Sequence, residues 1–246
     1  MPTPGIDKGL AADFAALSPT LNARVGVVIH AVGSAPDDPI ILGDWQSGVA
    51  WSTSKVPLVV AALRLQDSSE ITEAMTKAIT ESDNAAAESI WEGLGDPTQA
   101  AEQVQGVLRQ YGDPTIVQST KVRPEYTAFG QTVWPLVDQN HFMAGAMCDP
   151  NNSQVIDLMG RVEDDQRWGL GSIAGAKFKG GWGPAPSGNY LVRQMGVIPT
   201  PGGFTAITIA AEPNSGSFAD GTEVLTRVAQ WLGEHLADLP AAQCGS

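Results

Sequence analysis

Ser52 and Lys55 offer the most direct chemistry in this sequence, because a hydroxyl and an amine stand three positions apart in Ser52-Thr53-Ser54-Lys55. The apolar run over residues 52–65 predicts a helix that begins here, with both side chains on one face about one turn apart. A serine hydroxyl is a weak nucleophile until a base takes its proton, and a lysine can be that base when burial and a second cation lower its pKa. The helix start adds free N–H groups, and the one on Ser52 can bind a developing oxyanion.

Two further groups of residues could act with this pair. Ser82-Asp83-Asn84 lies at the boundary between two helical patterns, where Ser and Asn are also ordinary helix caps. Lys179-Gly180-Gly181-Trp182-Gly183 follows an apolar strand, and its glycines either let a substrate backbone lie close to the strand edge or simply mark a turn. A Ser-x-x-Lys pair alone is weak, since about one random chain in three of this composition contains one. The prediction therefore depends on all three groups together.

In this order the three groups resemble the Ser-x-x-Lys, Ser-Asp-Asn and Lys-Thr-Gly motifs of class A β-lactamases and penicillin-binding proteins. The neighbouring sequence is similar too, at residues 51–57, 78–86 and 179–184, and the resemblance extends from about residue 7 to about residue 237. It implies a β-lactamase-like fold and a serine hydrolase or transferase that uses neither metal nor cofactor. The implied substrate is a small-molecule or peptide amide or ester, such as a β-lactam or a cell-wall peptide.

The resemblance also implies which residues are catalytic. Ser52 is expected to be the nucleophile, Lys55 its proton acceptor, and Ser82 the group that passes a proton to the leaving amine. Lys179 would be the second cation that favours the neutral form of Lys55.

The remaining matches are expected to bind the substrate. Asn84 would hydrogen-bond the amide side chain of the substrate, and Lys179 would attract a substrate carboxylate. Gly181 and Trp182 are also expected to bind the substrate, and the backbone N–H groups of Ser52 and Trp182 would form the oxyanion hole.

Three departures from the family pattern affect the predicted activity. Ser52 and Ser82 are 30 residues apart, about half the separation usual in class A enzymes, and Gly180 replaces a threonine. Residues 105–130 contain no Glu-x-x-Leu-Asn, the loop that carries the base for deacylation. The carboxylates in that stretch are Asp113 and Glu125, and we interpret Glu125 as structural or solvated. We therefore expect slow deacylation.

Two alternatives stay open at this stage. One is a catalytically weak protein on the same scaffold that binds a peptide or a protein partner, and the other is a serine glutaminase or peptidase with the same Ser-Lys pair. His30, His141 and His235 are scattered and no Gly-x-Ser-x-Gly is present, which argues against a Ser-His-Asp triad. Residues 169–174 match a dinucleotide fingerprint but follow a polar stretch and open no helix, so we discard that match.

The hydrophobic periodicity predicts an α+β fold, an antiparallel sheet flanked by helices with an inserted all-α lobe. Predicted helices cover residues 7–17, 52–65, 69–80, 84–94, 98–111, 126–140, 152–160 and 222–236. Predicted strands cover residues 24–32, 40–45, 174–179, 190–198 and 204–211, with a turn at Pro36-Asp37-Asp38-Pro39. We expect one domain over residues 1–246, with an α/β sandwich lobe formed by residues 1–50 and 172–246 and a helical lobe formed by residues 51–171. Trp91, Trp134, Trp168 and Trp231 are expected in the core or along the cleft.

Charge and composition exclude some partners. The 27 acidic and 14 basic side chains give a formal charge of -13, which repels nucleic acid and anionic lipid surfaces. The longest apolar run, residues 56–63, is far short of the about 20 residues that a membrane span needs. No export signal precedes residues 1–5, so the chain is either cytosolic or a mature exported form, and of these we expect the extracytoplasmic form. Cys148 and Cys244 either form one bridge that ties down the C-terminal tail or stay free.

Overall fold

A computed structural model of the chain describes residues 6–33, 39–66 and 70–245. The predicted turn before Pro39, the segment 1–5 and the start of the helix predicted at residue 69 lie outside these ranges.

The centre of the fold is a five-stranded sheet in which all neighbouring strands are antiparallel. Its order is β2-β1-β7-β6-β5. The strands are β1 (Ala23–Ala31), β2 (Ile40–Gly43), β5 (Lys177–Pro184), β6 (Tyr190–Thr200) and β7 (Gly203–Pro213). A second, two-stranded sheet pairs β3 (Ser47–Val49) with β4 (Val133–Pro135). The last three strands of the chain thus lie beside one another, and β5 forms one edge.

The terminal helices, α1 (Ile6–Leu17) and α8 (Phe218–Glu234), share one core with a face of the sheet. The spacing predicted an apolar stripe on α1, and Leu10 and Phe14 are both buried in this core. Phe14 meets Trp231 of α8 edge to face, with ring centroids 5.3 Å apart. The two ends of the chain therefore close the same face of the sheet.

The middle of the chain is helical, as predicted. Its helices are α2 (Lys55–Leu65), α3 (Glu73–Thr80), α4 (Asn84–Gly93), α5 (Pro97–Gln110), α6 (Leu136–Met147) and α7 (Ser153–Met159). Helix α2 lies at the centre of the second large core, with every residue from Lys55 to Leu63 buried. Asp83 accepts a hydrogen bond from Ala86 N and caps α4, while Asp96 forms a capping box with Gln99 at the start of α5. The predicted α+β fold, an antiparallel sheet flanked by helices with further helices inserted between its strands, is confirmed. The lobe boundaries at residues 51 and 171 stay a prediction.

The helix predicted over residues 126–140 is wrong for residues 126–135. Residues 129–131 form a 3₁₀ turn, β4 follows, and α6 begins only at Leu136. Val133 and Trp134 have side chains that favour strands, and they pair with Val49 and Gly48 of β3. Pro135 lacks an N–H and stands immediately before the helix.

The strand predicted over residues 174–179 is also misplaced, because β5 runs from Lys177 to Pro184 and includes the glycines for which a turn was one of the two interpretations. Glycine is a poor strand residue on its own, but close packing against another backbone favours it. A Cβ on Gly181 would lie 2.8 Å from the Ala50 carbonyl oxygen, and a Cβ on Gly183 would lie 2.5 Å from the Trp51 ring. The glycines therefore let β5 lie directly against residues 50–53, immediately before α2.

Cys148 and Cys244 are joined by a disulfide, with their Cα atoms 5.0 Å apart. The bridge ties the segment after α8 to the end of α6. Ala242 pairs with Phe204 of β7, and the Thr205 hydroxyl donates to the Pro240 carbonyl at 2.7 Å. A stable disulfide suggests an oxidising compartment. In the described part of the chain, none of the helices combines the length and the apolar character that crossing a membrane requires.

Candidate active site

Ser52 lies in a 3₁₀ turn, Trp51–Ser54, between β3 and α2. The α-helix begins at Lys55, so the predicted helix start is a tighter turn than we expected. Two side chains hold this turn: the Thr53 hydroxyl donates to the Ala50 carbonyl at 2.6 Å, and the Ser54 hydroxyl donates to the Trp51 carbonyl at 2.7 Å. Trp51 has a φ of 51°, a left-handed conformation that is uncommon for a bulky residue. The strained residue directly precedes the predicted nucleophile.

Lys55 meets both serines and the asparagine of the predicted motifs. Its Nζ lies 3.0 Å from Ser52 Oγ, 3.3 Å from Ser82 Oγ and 2.8 Å from Asn84 Oδ1. It also donates a short hydrogen bond to the Ser82 carbonyl oxygen. Lys55 is 1% exposed. Residues that are far apart in sequence are thus gathered around one amine.

Burial lowers the pKa of Lys55 from 10.5 to about 7, while the nearby Asp83 carboxylate raises it. A neutral amine has two N–H groups and one lone pair. The Ser82 carbonyl and Asn84 Oδ1 can only accept hydrogen bonds, so they take the two N–H groups of neutral Lys55. The lone pair is then left for the hydroxyl proton of Ser52, and the geometry suits proton transfer from Ser52 to Lys55.

Ser82 stands between the two lysines of the site. It has a φ of 60° at the junction of α3 and α4, and this left-handed turn directs both its carbonyl and its hydroxyl toward Lys55. Lys179 Nζ lies 2.9 Å from Ser82 Oγ and 3.0 Å from the Gly180 carbonyl oxygen. The Ser82 hydroxyl therefore links the helical part of the site to strand β5.

Lys179 is fully buried, and burial lowers its pKa well below 10.5, with a further contribution from the charge of Lys55. The sequence led us to expect the reverse influence, in which Lys179 lowers the pKa of Lys55. Loss of hydration is the cause that lowers the pKa of Lys55, and a contribution of Lys179 to that lowering stays a prediction.

Gly181 brings β5 into contact with the nucleophile. A Cβ at this position would lie 2.9 Å from the backbone nitrogens of both Ser52 and Thr53. This close approach sets the Trp182 segment beside the Ser52 backbone N–H, which is the arrangement that two oxyanion donors need. Gly181 therefore lies against the Ser52 backbone, and the role of the Trp182 N–H stays a prediction.

An open cavity of about 290 Å³ adjoins Ser52. Asn84 and Trp182 line it, together with residues that the sequence did not single out: Glu88, Lys121, Tyr126, Thr127 and Gly130. Glu88 lies one helical turn after Asn84 on α4, a spacing that could have indicated it. It forms an ion pair with Lys121 at 2.8 Å. Glu125 also lines the cavity, is 61% exposed and lies 3.6 Å from Arg123 Nε, in keeping with a solvated carboxylate.

The wall that carries Glu125 is built around Gln131. Gln131 Oε1 accepts from Arg123 N at 2.8 Å, and Gln131 Nε2 donates to the carbonyls of Arg123, Tyr126 and Thr127 at 3.1 to 3.3 Å. The Arg123 guanidinium lies over the Tyr126 ring at 4.2 Å and donates to the Pro184 carbonyl at 2.6 Å. One buried amide and one arginine thus hold this loop against the end of β5.

Several other polar candidates lie away from the site. Asp113 is fully buried and accepts from Trp134 Nε1 at 2.7 Å and from Thr115 N at 2.9 Å, so its role is structural. His235 lies 3.2 Å from Asp13 of α1.

The tryptophans singled out in the sequence lie in the core or beside the cavity. Trp91, Trp134 and Trp231 are core residues, and Trp168 packs edge to face on Trp182. The described ranges contain no group of three or more His, Cys, Asp or Glu side chains arranged to hold a metal ion.

The fold matches solved structures of β-lactamases over nearly the whole chain. The TLA-3 extended-spectrum β-lactamase aligns with a TM-score of 0.73 and 13% identity, covering 93% of this chain and 98% of that one. A class A β-lactamase from Mycobacterium abscessus gives 0.70 and 16%, covering 92% and 98%. An ancestral class A β-lactamase gives 0.68 and 20%, covering 92% and 99%. No protein-family model and no curated protein matches the sequence. The chain therefore has the fold of the class A β-lactamases, and at these identities the likeness extends to the fold alone.

Proposed function

We propose that this protein is a serine acyl-transfer enzyme in which Ser52 is the nucleophile and Lys55 its base. The observation that carries the proposal is the 3.0 Å distance between Lys55 Nζ and Ser52 Oγ, in a setting where burial lowers the lysine pKa to about 7. A base whose pKa lies near neutral pH is suited to accept and return a proton. The β-lactamase-like fold supports a hydrolase of this kind.

Acylation would proceed by addition and elimination. Ser52 Oγ forms a bond to the carbonyl carbon of an amide or ester as its proton moves to Lys55. The carbonyl oxygen becomes an oxyanion beside the backbone N–H groups of Ser52 and Trp182. The bond to the leaving nitrogen or oxygen then breaks, and the leaving group takes a proton from Ser82, which Lys55 replenishes across 3.3 Å. No metal or cofactor enters this sequence.

Asn84 and Lys179 would hold the substrate on either side of the reacting bond. With its Oδ1 engaged by Lys55, Asn84 can donate from Nδ2 to a substrate carbonyl. Lys179 donates to Ser82 Oγ at 2.9 Å and, when protonated, would attract a substrate carboxylate. Trp182 would cover the substrate from the β5 edge.

Hydrolysis requires a second step, in which a base activates a water against the acyl-enzyme. The loop that carries this base in class A enzymes is absent from residues 105–130. Glu88 and Glu125 line the cavity but are paired with Lys121 and Arg123. The proposal is therefore an enzyme that acylates faster than it deacylates, acting on a β-lactam, a peptide or an ester outside the cytoplasm, where the disulfide would persist.

The proposal is tested by intact-mass measurement after exposure to a penicillin and, separately, to a fluorophosphonate. We expect a single adduct that disappears in Ser52→Ala. The matched control is Ser89→Ala, which removes an exposed serine hydroxyl on α4 and should leave labelling unchanged. The absence of an adduct with both reagents would contradict the enzyme and favour a β-lactamase-like protein that only binds a peptide or a protein partner.

A further inference from the structure

Arg193 is a fully buried arginine on β6, directly behind the proposed nucleophile. It stands opposite Gly181 of β5 and opposite Ala210 of β7 in the sheet register. Because paired residues of an antiparallel sheet share a face, its side chain projects to the same side as the Cα–H of Gly181 that meets the Ser52 backbone. An arginine at this position is not part of any motif discussed above.

The guanidinium of Arg193 is bound by neutral oxygens. Nη1 donates to the carbonyls of Gly48 at 2.9 Å and Val49 at 3.2 Å. Nη2 donates to the Trp134 carbonyl at 3.0 Å and to Gln139 Oε1 at 2.8 Å. The same group lies 5.4 Å from the centre of the Trp45 ring. These contacts join β3, β4 and α6 at one point.

Burying the charge of Arg193 reduces the stability of the fold, because the guanidinium loses its hydration. Burial lowers the pKa of Arg193 to about 9, which still leaves the guanidinium charged at neutral pH. Among the described residues, no carboxylate raises this pKa or serves as a counterion. Apolar residues in place of buried charges often leave a protein equally or more stable. Stability alone therefore gives little reason for an arginine here.

Two routes connect Arg193 to Ser52. The first is direct, because Gly48 and Val49 are the last residues of β3 and Ala50 and Trp51 follow immediately before Ser52. The second passes through Gln139, whose Nε2 donates to Thr53 Oγ1 at 2.9 Å. The Thr53 hydroxyl in turn donates to the Ala50 carbonyl at 2.6 Å. The guanidinium thus fixes the chain on both sides of the nucleophile.

We propose that Arg193 is a positioning residue for the oxyanion hole, which holds the backbone of residues 48–53 against Gly181 so that the Ser52 and Trp182 N–H groups converge. This inference rests on the proposed acyl transfer at Ser52. Arg193 touches neither the substrate nor the reacting atoms. Its effect is therefore on the rate of acylation rather than on binding of the reagent.

The test compares Arg193→Lys and Arg193→Met with the control Arg227→Met. Arg227 lies on α8 and donates to the Thr20 carbonyl at 2.8 Å. Acylation of Ser52 by an activated ester is followed at rising ester concentration. We expect the Arg193 variants to lose at least about tenfold in limiting rate, with the half-saturating concentration little changed, since only transition-state stabilisation is reduced. Arg193→Lys should recover part of the rate, because it keeps the charge but lacks the fork of donors.

Hydrogen exchange provides a second readout that does not depend on activity. The Ala50 N–H donates to the Thr132 carbonyl at 2.7 Å and the Thr53 N–H to the Ala50 carbonyl at 3.3 Å. Both amides should exchange faster in the Arg193 variants, while amides of α8 keep the wild-type rate. If Arg193→Met does not fold, Gln139→Met tests the same connection, because it breaks the link from Arg193 to Thr53 and leaves the arginine in place.

A folded Arg193 variant, or Gln139→Met, that keeps the wild-type limiting rate and the wild-type exchange of residues 50–53 would overturn the inference. A wild-type chain that no ester acylates would instead contradict the proposed function, and hydrogen exchange would still decide whether Arg193 holds this segment.

Discussion

Lys55 and Lys179 meet at one hydroxyl: their Nζ atoms lie 3.3 Å and 2.9 Å from Ser82 Oγ. Two ammonium groups that share a buried oxygen repel each other, and both side chains are almost inaccessible to water. Burial lowers the pKa of each lysine, and at Lys179 the charge of Lys55 lowers it further. The site is thus arranged to keep at least one amine neutral, which is the form that can take a proton from Ser52.

The first prediction concerns the pH dependence of acylation. Lys55 must be neutral to accept the Ser52 proton, so the acylation rate should rise as pH increases through about 7 and then level off. Asp83 raises the pKa of Lys55, and Asp83→Asn should therefore move the midpoint of the rise to lower pH. Asparagine caps helices as well as aspartate does, so α4 should stay intact. A profile that is flat from acid to alkaline pH would exclude Lys55 as the base.

The second prediction concerns stability. The pKa of Lys55 is about 7 in the folded chain and 10.5 ordinarily, so between these values the unfolded chain binds more protons. The free energy of unfolding should therefore rise as the pH increases from about 7 to 10.5. Below about pH 7 the buried ammonium destabilises the fold to its full extent. Lys55→Met should reduce that rise, which urea unfolding at about pH 6 and about pH 9 measures as the difference between two midpoints. An equal rise in both proteins would mean that Lys55 stays protonated in the fold.

The third prediction concerns the contact between β5 and the turn that holds Ser52. Gly181→Ala places a Cβ 2.8 Å from the Ala50 carbonyl oxygen and 2.9 Å from Ser52 N, so the strand must move away from the turn. We expect at least about a tenfold loss of acylation rate, because misplaced oxyanion donors stabilise the transition state less. Gly106→Ala on α5 is the matched control, since its added Cβ meets nothing within 4 Å. Equal rates for the two variants would argue against a tight oxyanion hole here.

The sequence was informative where chemistry depends on local spacing. Ser52 and Lys55 lie one turn apart in any helix, and the caps at Asp83 and Asp96 act within three residues of themselves. The alternation of apolar residues predicted the order of strands and helices, because the face that a side chain occupies follows from its element. These features needed no knowledge of the rest of the chain.

Features that depend on distant pairs were missed. Nothing near Gln131 indicates that its amide will hold the carbonyls of Arg123, Tyr126 and Thr127, and nothing near Arg193 indicates acceptors at Gly48 and Trp134. The sequence left open whether the glycines of β5 lie at a strand edge or mark a turn, because local propensity disfavours them in strands. Contact with the Ser52 turn, about 130 residues earlier in the chain, outweighs that propensity.

The most direct test of the account is a time course of intact mass after mixing the protein with a penicillin or an activated ester, followed by peptide mapping. Acylation is supported by Ser52, Lys55 and the close approach of Gly181, whereas the base for the second step is missing from residues 105–130. We therefore predict one acyl group per chain, located on Ser52, that accumulates rapidly and is lost slowly. Rapid consumption of the reagent with no adduct at any time would contradict slow deacylation, and an adduct on any residue other than Ser52 would contradict the central claim.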